Sequence, residues 1–216
     1  MHDLDDWGAT TMPQVLTVPG LNNSGPTHWQ SIWERETPWI SRVDLGLWER
    51  PQRNVWVTRL SQTIRSSRAP VVLCAHSLGC LAVAWWAALE GQGYGHPVAG
   101  ALLVAPPDCE RAMVDRHIAS FGPIPRVILP FPAILVASQD DPYASTERSI
   151  RMAELWGAAF VDVGEQGHIN AQSNLGDWSE GRTLLNHLID GGLSVRRARP
   201  RVSTGGDMRG ATVLRS

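Results

Sequence analysis

This sequence predicts an α/β fold with a mostly parallel central sheet, on three observations. Short apolar, β-branched runs alternate along the chain with segments of helical spacing. The runs are apolar at consecutive positions rather than at alternate ones, as strands covered on both faces require. Gly, Pro and Asn gather where the runs end. With 216 residues, 43% of them hydrophobic, the chain can bury one sizeable core, and a second full domain is not expected.

The elements follow in order. Residues 14–18 predict a strand, and residues 26–36 a helix with Trp29 and Trp33 four apart on one face. Residues 40–44 predict a short strand. Pro51, placed where helices start, and apolar Val55, Leu60 and Ile64 predict a helix over 51–65. Residues 71–75 predict a strand that enters a sharp turn, and residues 78–90 a helix that leaves it. Further strands are expected at 99–105, 133–137 and 160–163, and further helices at 145–156 and 178–189. Between Pro107 and Pro132 there is room for a short helical excursion around 110–120, but not for a cap domain. The expected organisation is a flexible extension over 1–12, one domain over 13–191 and an Arg-rich disordered tail over 192–216.

Charge and composition exclude several chemistries. All 19 basic residues are arginine, so no Schiff-base lysine, P-loop lysine or Ser-Lys dyad exists in this chain. Residues 192–216 hold six arginines and one aspartate, a net +5 in a chain whose total is −2. Without interleaved aromatic residues this tail reads as a solvated extension rather than an anion-seeking arm, so nucleic acid is not expected as a partner. No apolar stretch reaches the roughly 18 residues of a spanning helix. The acidic start, Met1-His2-Asp3-Leu4-Asp5-Asp6, lacks the features of a signal peptide. Cys74, Cys80 and Cys109 are odd in number, lack metal-ligand spacing and read as buried, reduced thiols. Together these predict a cytoplasmic protein. The ten tryptophans sit at helical spacing or in apolar runs, as Trp85 and Trp86 do, which favours core packing over a carbohydrate platform.

The chemistry resides in three separated turns. In Val72-Leu73-Cys74-Ala75-His76-Ser77-Leu78-Gly79 an apolar run ends in a serine with tiny residues two positions to either side. A sharp strand-to-helix turn forces such a serine into a strained conformation and leaves no room for larger neighbours, the pattern of a nucleophile elbow. Glycine is usual at both flanking positions, so Ala75 is a mild departure. Asp141, in Ser138-Gln139-Asp140-Asp141-Pro142-Tyr143, and His168, in Gly167-His168-Ile169-Asn170, each follow an apolar run. Open parallel sheets place their reacting side chains in such turns, and the order Ser, Asp, His is that of α/β-hydrolases. A serine hydroxyl is a poor nucleophile alone. His168 would take its proton while Asp141 fixes the imidazole tautomer. Asp140 competes with Asp141, which is preferred because it precedes the proline.

The turn Val18-Pro19-Gly20-Leu21-Asn22-Asn23 is the expected second half of an oxyanion hole. Backbone N–H groups of Leu78 and Leu21 are the assigned donors, with Asn22 the nearest alternative to Leu21. The dipole of the helix starting at Leu78 acts at the same point. His76 reads as a supporting hydrogen-bonding residue, and His28 as a surface or structural residue of the first helix rather than a pocket wall.

Taken with Pro19-Gly20, Trp29, Trp48-x-x-Pro51, Trp56, Ala105-Pro106-Pro107-Asp108 and Leu129-Pro130-Phe131-Pro132, these motifs resemble the retinoblastoma-binding serine hydrolase family, over about residues 14–189. The resemblance implies a compact α/β-hydrolase-type three-layer sandwich with no large cap domain, a Ser77-Asp141-His168 triad and activity on small esters. The family takes its name from an L-x-C-x-E segment in one member. Here Leu78-Gly79-Cys80-Leu81-Ala82 lacks the glutamate, so retinoblastoma-type binding is not expected.

The expected function is a serine hydrolase, a carboxylesterase of small soluble esters that needs no metal or organic cofactor. Thioester and amide hydrolysis or perhydrolysis are the enzymatic alternatives. A non-catalytic binding protein on the same fold is the alternative of another class.

Overall fold

Six strands, β1 (Gln14–Val18), β2 (Ile40–Arg42), β3 (Val71–His76), β4 (Val98–Val104), β5 (Ala133–Ala137) and β6 (Ala159–Asp162), form one sheet in the order β2-β1-β3-β4-β5-β6. Every pairing is parallel. The computed structural model describes residues 12–90, 98–111 and 116–197, so the expected N-terminal extension and most of the Arg-rich tail lie outside the described residues.

Alternation of side chains along β3 explains its unbroken apolar run. Val71, Leu73 and Ala75 pack into one core, while Val72 and Cys74 pack into the other on the opposite face. Helices α2 (Arg53–Ser66), α3 (Leu78–Glu90) and α4 (Thr146–Trp156) cover the first face with Trp56, Leu60, Leu81, Trp86, Met152 and Trp156. Helices α1 (Trp29–Glu36) and α5 (Ser179–Arg197) cover the second with Trp29, Trp33, Leu185 and Leu188. The result is three layers, with α3 apolar nearly all round because α2 covers the side that the sheet does not. Trp29, Trp33, Trp56, Trp86 and Trp156 are all fully buried, which places half of the ten tryptophans in the core. Burying one such ring contributes roughly 3 kcal/mol.

Element ends differ from the sequence reading where a tertiary partner intervenes. The first helix begins at Trp29 rather than 26, because the preceding residues turn (His28 N–H to the Gly25 carbonyl, 3.0 Å) and His28 becomes the N-cap. Helix α5 continues to Arg197, past Gly191 and Gly192, where the reading had ended it at 189. Arginine is a good helix former, so Arg196 and Arg197 prolong the helix rather than end it. Between β4 and β5 the described residues hold only a 3-10 turn, Ala119–Phe121, and no large cap.

The chain runs β1, β2 to one side of the sheet and then crosses to β3 on the other side of β1. That reversal separates the loops leaving β1 and β3. In open parallel sheets such a switch point, at the carboxyl ends of the strands, is where a crevice forms. Val18 pairs with Ala75, so the loops beginning at Pro19 and Ser77 start side by side.

Candidate active site

Close packing of the β1 and β3 ends shapes the first component. Ser77 sits at φ 53°, in the left-handed region that residues with a Cβ rarely adopt, and its N–H donates to the Val104 carbonyl at 2.8 Å. Two glycines permit the approach. A Cβ on Gly79 would overlap the Val18 carbonyl oxygen and lie 2.7 Å from that of Pro19, while one on Gly20 would lie 2.8 Å from the Ser77 Cβ. Ala75, in the position where glycine is usual, is fully buried in the core beneath the turn.

Three loops converge on this serine. Ser77 Oγ lies 2.8 Å from His168 Nε2, and His168 Nδ1 lies 2.9 and 3.0 Å from the two carboxylate oxygens of Asp141. The histidine and aspartate side chains are only 9% and 4% exposed, so water hardly screens their interaction. A carboxylate against Nδ1 places the imidazole proton there, leaving the Nε2 lone pair to accept from the hydroxyl. Such an arrangement can move a proton from serine to histidine and steady the cation that forms.

Asp140 has a different place. Its Oδ1 accepts from Ser138 Oγ and from the Gly167 N–H, both at 2.7 Å, and these two bonds hold its carboxyl below the usual range. It therefore fastens the backbone of the histidine loop, while Asp141 meets the ring. The same loop is tied at three more points. His76 Nε2–H donates to the His168 carbonyl at 2.9 Å, Trp29 Nε1–H donates to the Ile169 carbonyl at 2.9 Å, and the Gln166 N–H donates to Ser138 Oγ at 2.8 Å. His76 thus supports the site by a hydrogen bond, as the sequence reading had it. The bonds made by Asp140 and Trp29 were not foreseen, although Asp140's two-residue spacing from Ser138 is the local signal of such a turn.

The loop after β1 is shaped by a polar network. Asn22 and Asn23 both have left-handed φ, 63° and 65°. Arg42 donates to Asn23 Oδ1 and to the Ser24 carbonyl, each at 3.0 Å, and pairs with Glu34 at 2.8 Å. The Asn22 N–H is engaged by the Trp48 carbonyl at 2.9 Å, whereas those of Leu21 and Leu78 have no hydrogen-bond partner among the described residues.

These loops wall a cavity of about 370 Å³, lined by apolar Leu21, Leu78 and Pro107 and by polar Asn22, Asn170 and Gln172. His28 lines it too: it has the structural place at the start of the first helix that the sequence reading allowed, as N-cap, but it is also a pocket wall, which that reading had set aside, with its ring buried edge-on against His76 at 4.7 Å. Its Nδ1 accepts from the Gln30 N–H at 3.2 Å, which puts the ring proton on Nε2. Burial first, then the nearby charges of Arg42 and His168, lower the His28 pKa to about 3. Burial also holds His76 well below 6.5.

These depressions make the fold acid-sensitive. Between pH 6.5 and about 3 the unfolded chain binds a proton on His28 that the folded chain does not, and His76 is depressed in the same sense, so stability is full above 6.5 and falls as pH drops. At about 1.4 kcal/mol per pH unit His28 alone removes on the order of 2 kcal/mol between pH 6.5 and 5, and His76 acts in the same direction. Urea unfolding at pH 7.5 and 5 measures this, and His28→Gln is expected to make the dependence shallower by about that 2 kcal/mol. An unchanged pH slope in that variant would refute the assignment.

A family model described as Serine hydrolase matches residues 15–187 of this chain. The solved structure of a YdeN-like hydrolase from Pectobacterium atrosepticum is 33% identical, superposes with a TM-score of 0.73, and the match covers 84% of this chain and 92% of that one. The product of the ydeN gene of B. subtilis is 18% identical, with a TM-score of 0.65 and coverage of 82% and 99%. Est1E of Butyrivibrio proteoclasticus, solved with ferulic acid bound, is 14% identical, with a TM-score of 0.60 and coverage of 89% and 92%. No curated protein matches the sequence significantly.

Proposed function

The chain belongs to the serine hydrolase family, and from that premise we propose that it is a carboxylesterase of small esters, acting through an acyl-Ser77 intermediate. The observation that carries this reading is the unbroken relay from Ser77 Oγ through His168 to Asp141, every link 3.0 Å or shorter, on the wall of a cavity of small-molecule size.

The steps follow from the geometry. His168 Nε2 takes the Ser77 proton as Oγ attacks the ester carbonyl, and the carbonyl π electrons move onto oxygen. The N–H groups of Leu21 and Leu78 hold that oxyanion; Leu21 is preferred to Asn22 because the Asn22 N–H is already engaged by Trp48. Collapse of the tetrahedral adduct expels the alcohol, which takes the proton from His168. Water then repeats the sequence on the acyl-serine and releases the acid. Asp141 stays ionised throughout and steadies the imidazolium. With only a 3-10 turn described between β4 and β5, substrates enter from water rather than from a lipid surface.

Cys74, Cys80 and Cys109 are free and buried, and burial raises all three thiols, Cys109 to about 12, so they stay protonated and unreactive. That suits a reducing cytoplasm. Among the described residues no helix is long and apolar enough to cross a membrane.

A fluorophosphonate probe reacts only with an activated serine. The wild-type chain is expected to label stoichiometrically and Ser77→Ala not at all. No labelling of the wild type would favour a non-catalytic binding protein instead. A panel of short esters, thioesters and amides then separates carboxylesterase from the neighbouring acyl-transfer activities.

A further inference from the structure

Among the described residues, one permanently charged side chain lines the cavity beside Ser77. Arg111 lines it, and among the described residues no aspartate or glutamate does. The two acids nearest Arg111 in the described sequence, Asp108 and Glu110, are both turned to Arg148, the former at 3.1 Å from Nε. Among the described residues no carboxylate lies within ion-pair distance of Arg111. Its Nη1 instead donates to the Pro142 carbonyl at 2.9 Å, and its guanidinium lies 5.7 Å from the Tyr143 ring centroid. That ring packs edge-on against His168, with centroids 4.5 Å apart. The cation is therefore held on the aspartate loop, one ring away from the catalytic imidazole, with most of its five N–H donors unused among the described residues.

We infer that Arg111 is a specificity residue for esters that carry a carboxylate at the far end from the scissile bond, the half-esters of short dicarboxylic acids. The inference rests on the esterase reading of this cavity. A guanidinium offers a planar fork that matches a carboxylate, and a cation without a carboxylate partner on a partly enclosed wall favours an anionic ligand over its neutral ester. Asn22, Asn170 and Gln172 line the same cavity and bring no opposing charge. The Pro142 carbonyl and the Tyr143 ring orient the guanidinium of this exposed arginine beside the cavity.

Monomethyl glutarate and dimethyl glutarate form the test pair, differing in one charge. Wild-type kcat/KM is expected to favour the half-ester about tenfold, Arg111→Gln to erase that preference, and Arg111→Lys, which keeps the charge without the fork, to retain part of it. The wild-type preference should shrink between 20 and 500 mM NaCl and that of Arg111→Gln should not. A purely structural arginine would instead slow both esters together and would not be rescued by lysine. Binding of monomethyl glutarate to Ser77→Ala, measured by calorimetry against the Ser77→Ala/Arg111→Gln double variant, reads anion recognition without chemistry and is expected to weaken about tenfold. Equal affinities there, or a half-ester preference unchanged in Arg111→Gln, overturn the inference. Failure of the wild type to hydrolyse either ester would count against the esterase reading, with the calorimetric comparison still deciding the role of Arg111.

Discussion

Replacing Ser77 or His168 with alanine is expected to lower kcat by a factor on the order of 10⁶, the loss that the corresponding single knockouts cause in an unrelated serine enzyme. The two losses should be nearly equal, and the double variant no worse than either. Without Oγ there is no atom for the imidazole to activate, and without the imidazole the hydroxyl keeps a proton that water removes far too slowly. What survives is catalysis by binding and by the oxyanion donors alone, about 10³ to 10⁴ above the reaction in water. The measurement is kcat on p-nitrophenyl acetate for all three variants, with thermal melting as a check on folding. Ser77 is already held at φ 53° by its surroundings, and losing Oγ removes no buried contact from the core, so Ser77→Ala should melt near the wild type. A folded Ser77→Ala that kept one hundredth of the activity would end the proposal of an acyl-serine, since another nucleophile would then have to exist.

The parts of this site that were legible in the sequence are those fixed by local constraint. Strand β5 and helix α3 begin and end where the apolar runs and the small residues at the elbow place them, because both are set within a few residues of Ser77 or by an unbroken buried strand. The elbow itself was readable for the same reason: only a residue of Gly79's size fits beneath the Val18 and Pro19 carbonyls. Leu21 and Asn22 could not be separated from sequence. What favours Leu21 is the Trp48 carbonyl, which reaches the Asn22 N–H from a loop 26 residues on, while the Leu21 N–H has no partner among the described residues. That His28 also lines the pocket was missed by similar means, since its burial depends on packing against His76, a residue 48 positions on. The same is true of Arg111, whose lack of an acidic partner among the described residues becomes visible only once Arg148 is seen to take both Asp108 and Glu110. Tertiary choice among equivalent local candidates is what periodicity and spacing leave open.

Asp140 and Asp141 show that choice most sharply, and substituting them separately tests it. Asp141→Asn is expected to reduce kcat about 10⁴-fold, the loss that the matching aspartate-to-asparagine change causes in the triad of an unrelated serine enzyme. The amide retains the shape, but it offers an N–H to Nδ1 and thereby favours the tautomer with the proton on Nε2, the wrong nitrogen for accepting from Ser77. It also withdraws the negative charge that steadies the imidazolium, within 3.0 Å and almost without solvent to screen it. Asp140→Asn should behave differently. Its remaining carbonyl oxygen can still accept from the Gly167 N–H, so the loop keeps its fastening and loses only the charge assistance of the two 2.7 Å bonds. A loss of about tenfold or less is expected, which corresponds to roughly 1.4 kcal/mol of loop positioning. Steady-state kinetics on one short ester for both variants separates the roles by about three orders of magnitude. If Asp140→Asn proved the more damaging of the two, the imidazole would have to swing to Asp140 in the working enzyme, and the relay drawn through Asp141 would have to be redrawn.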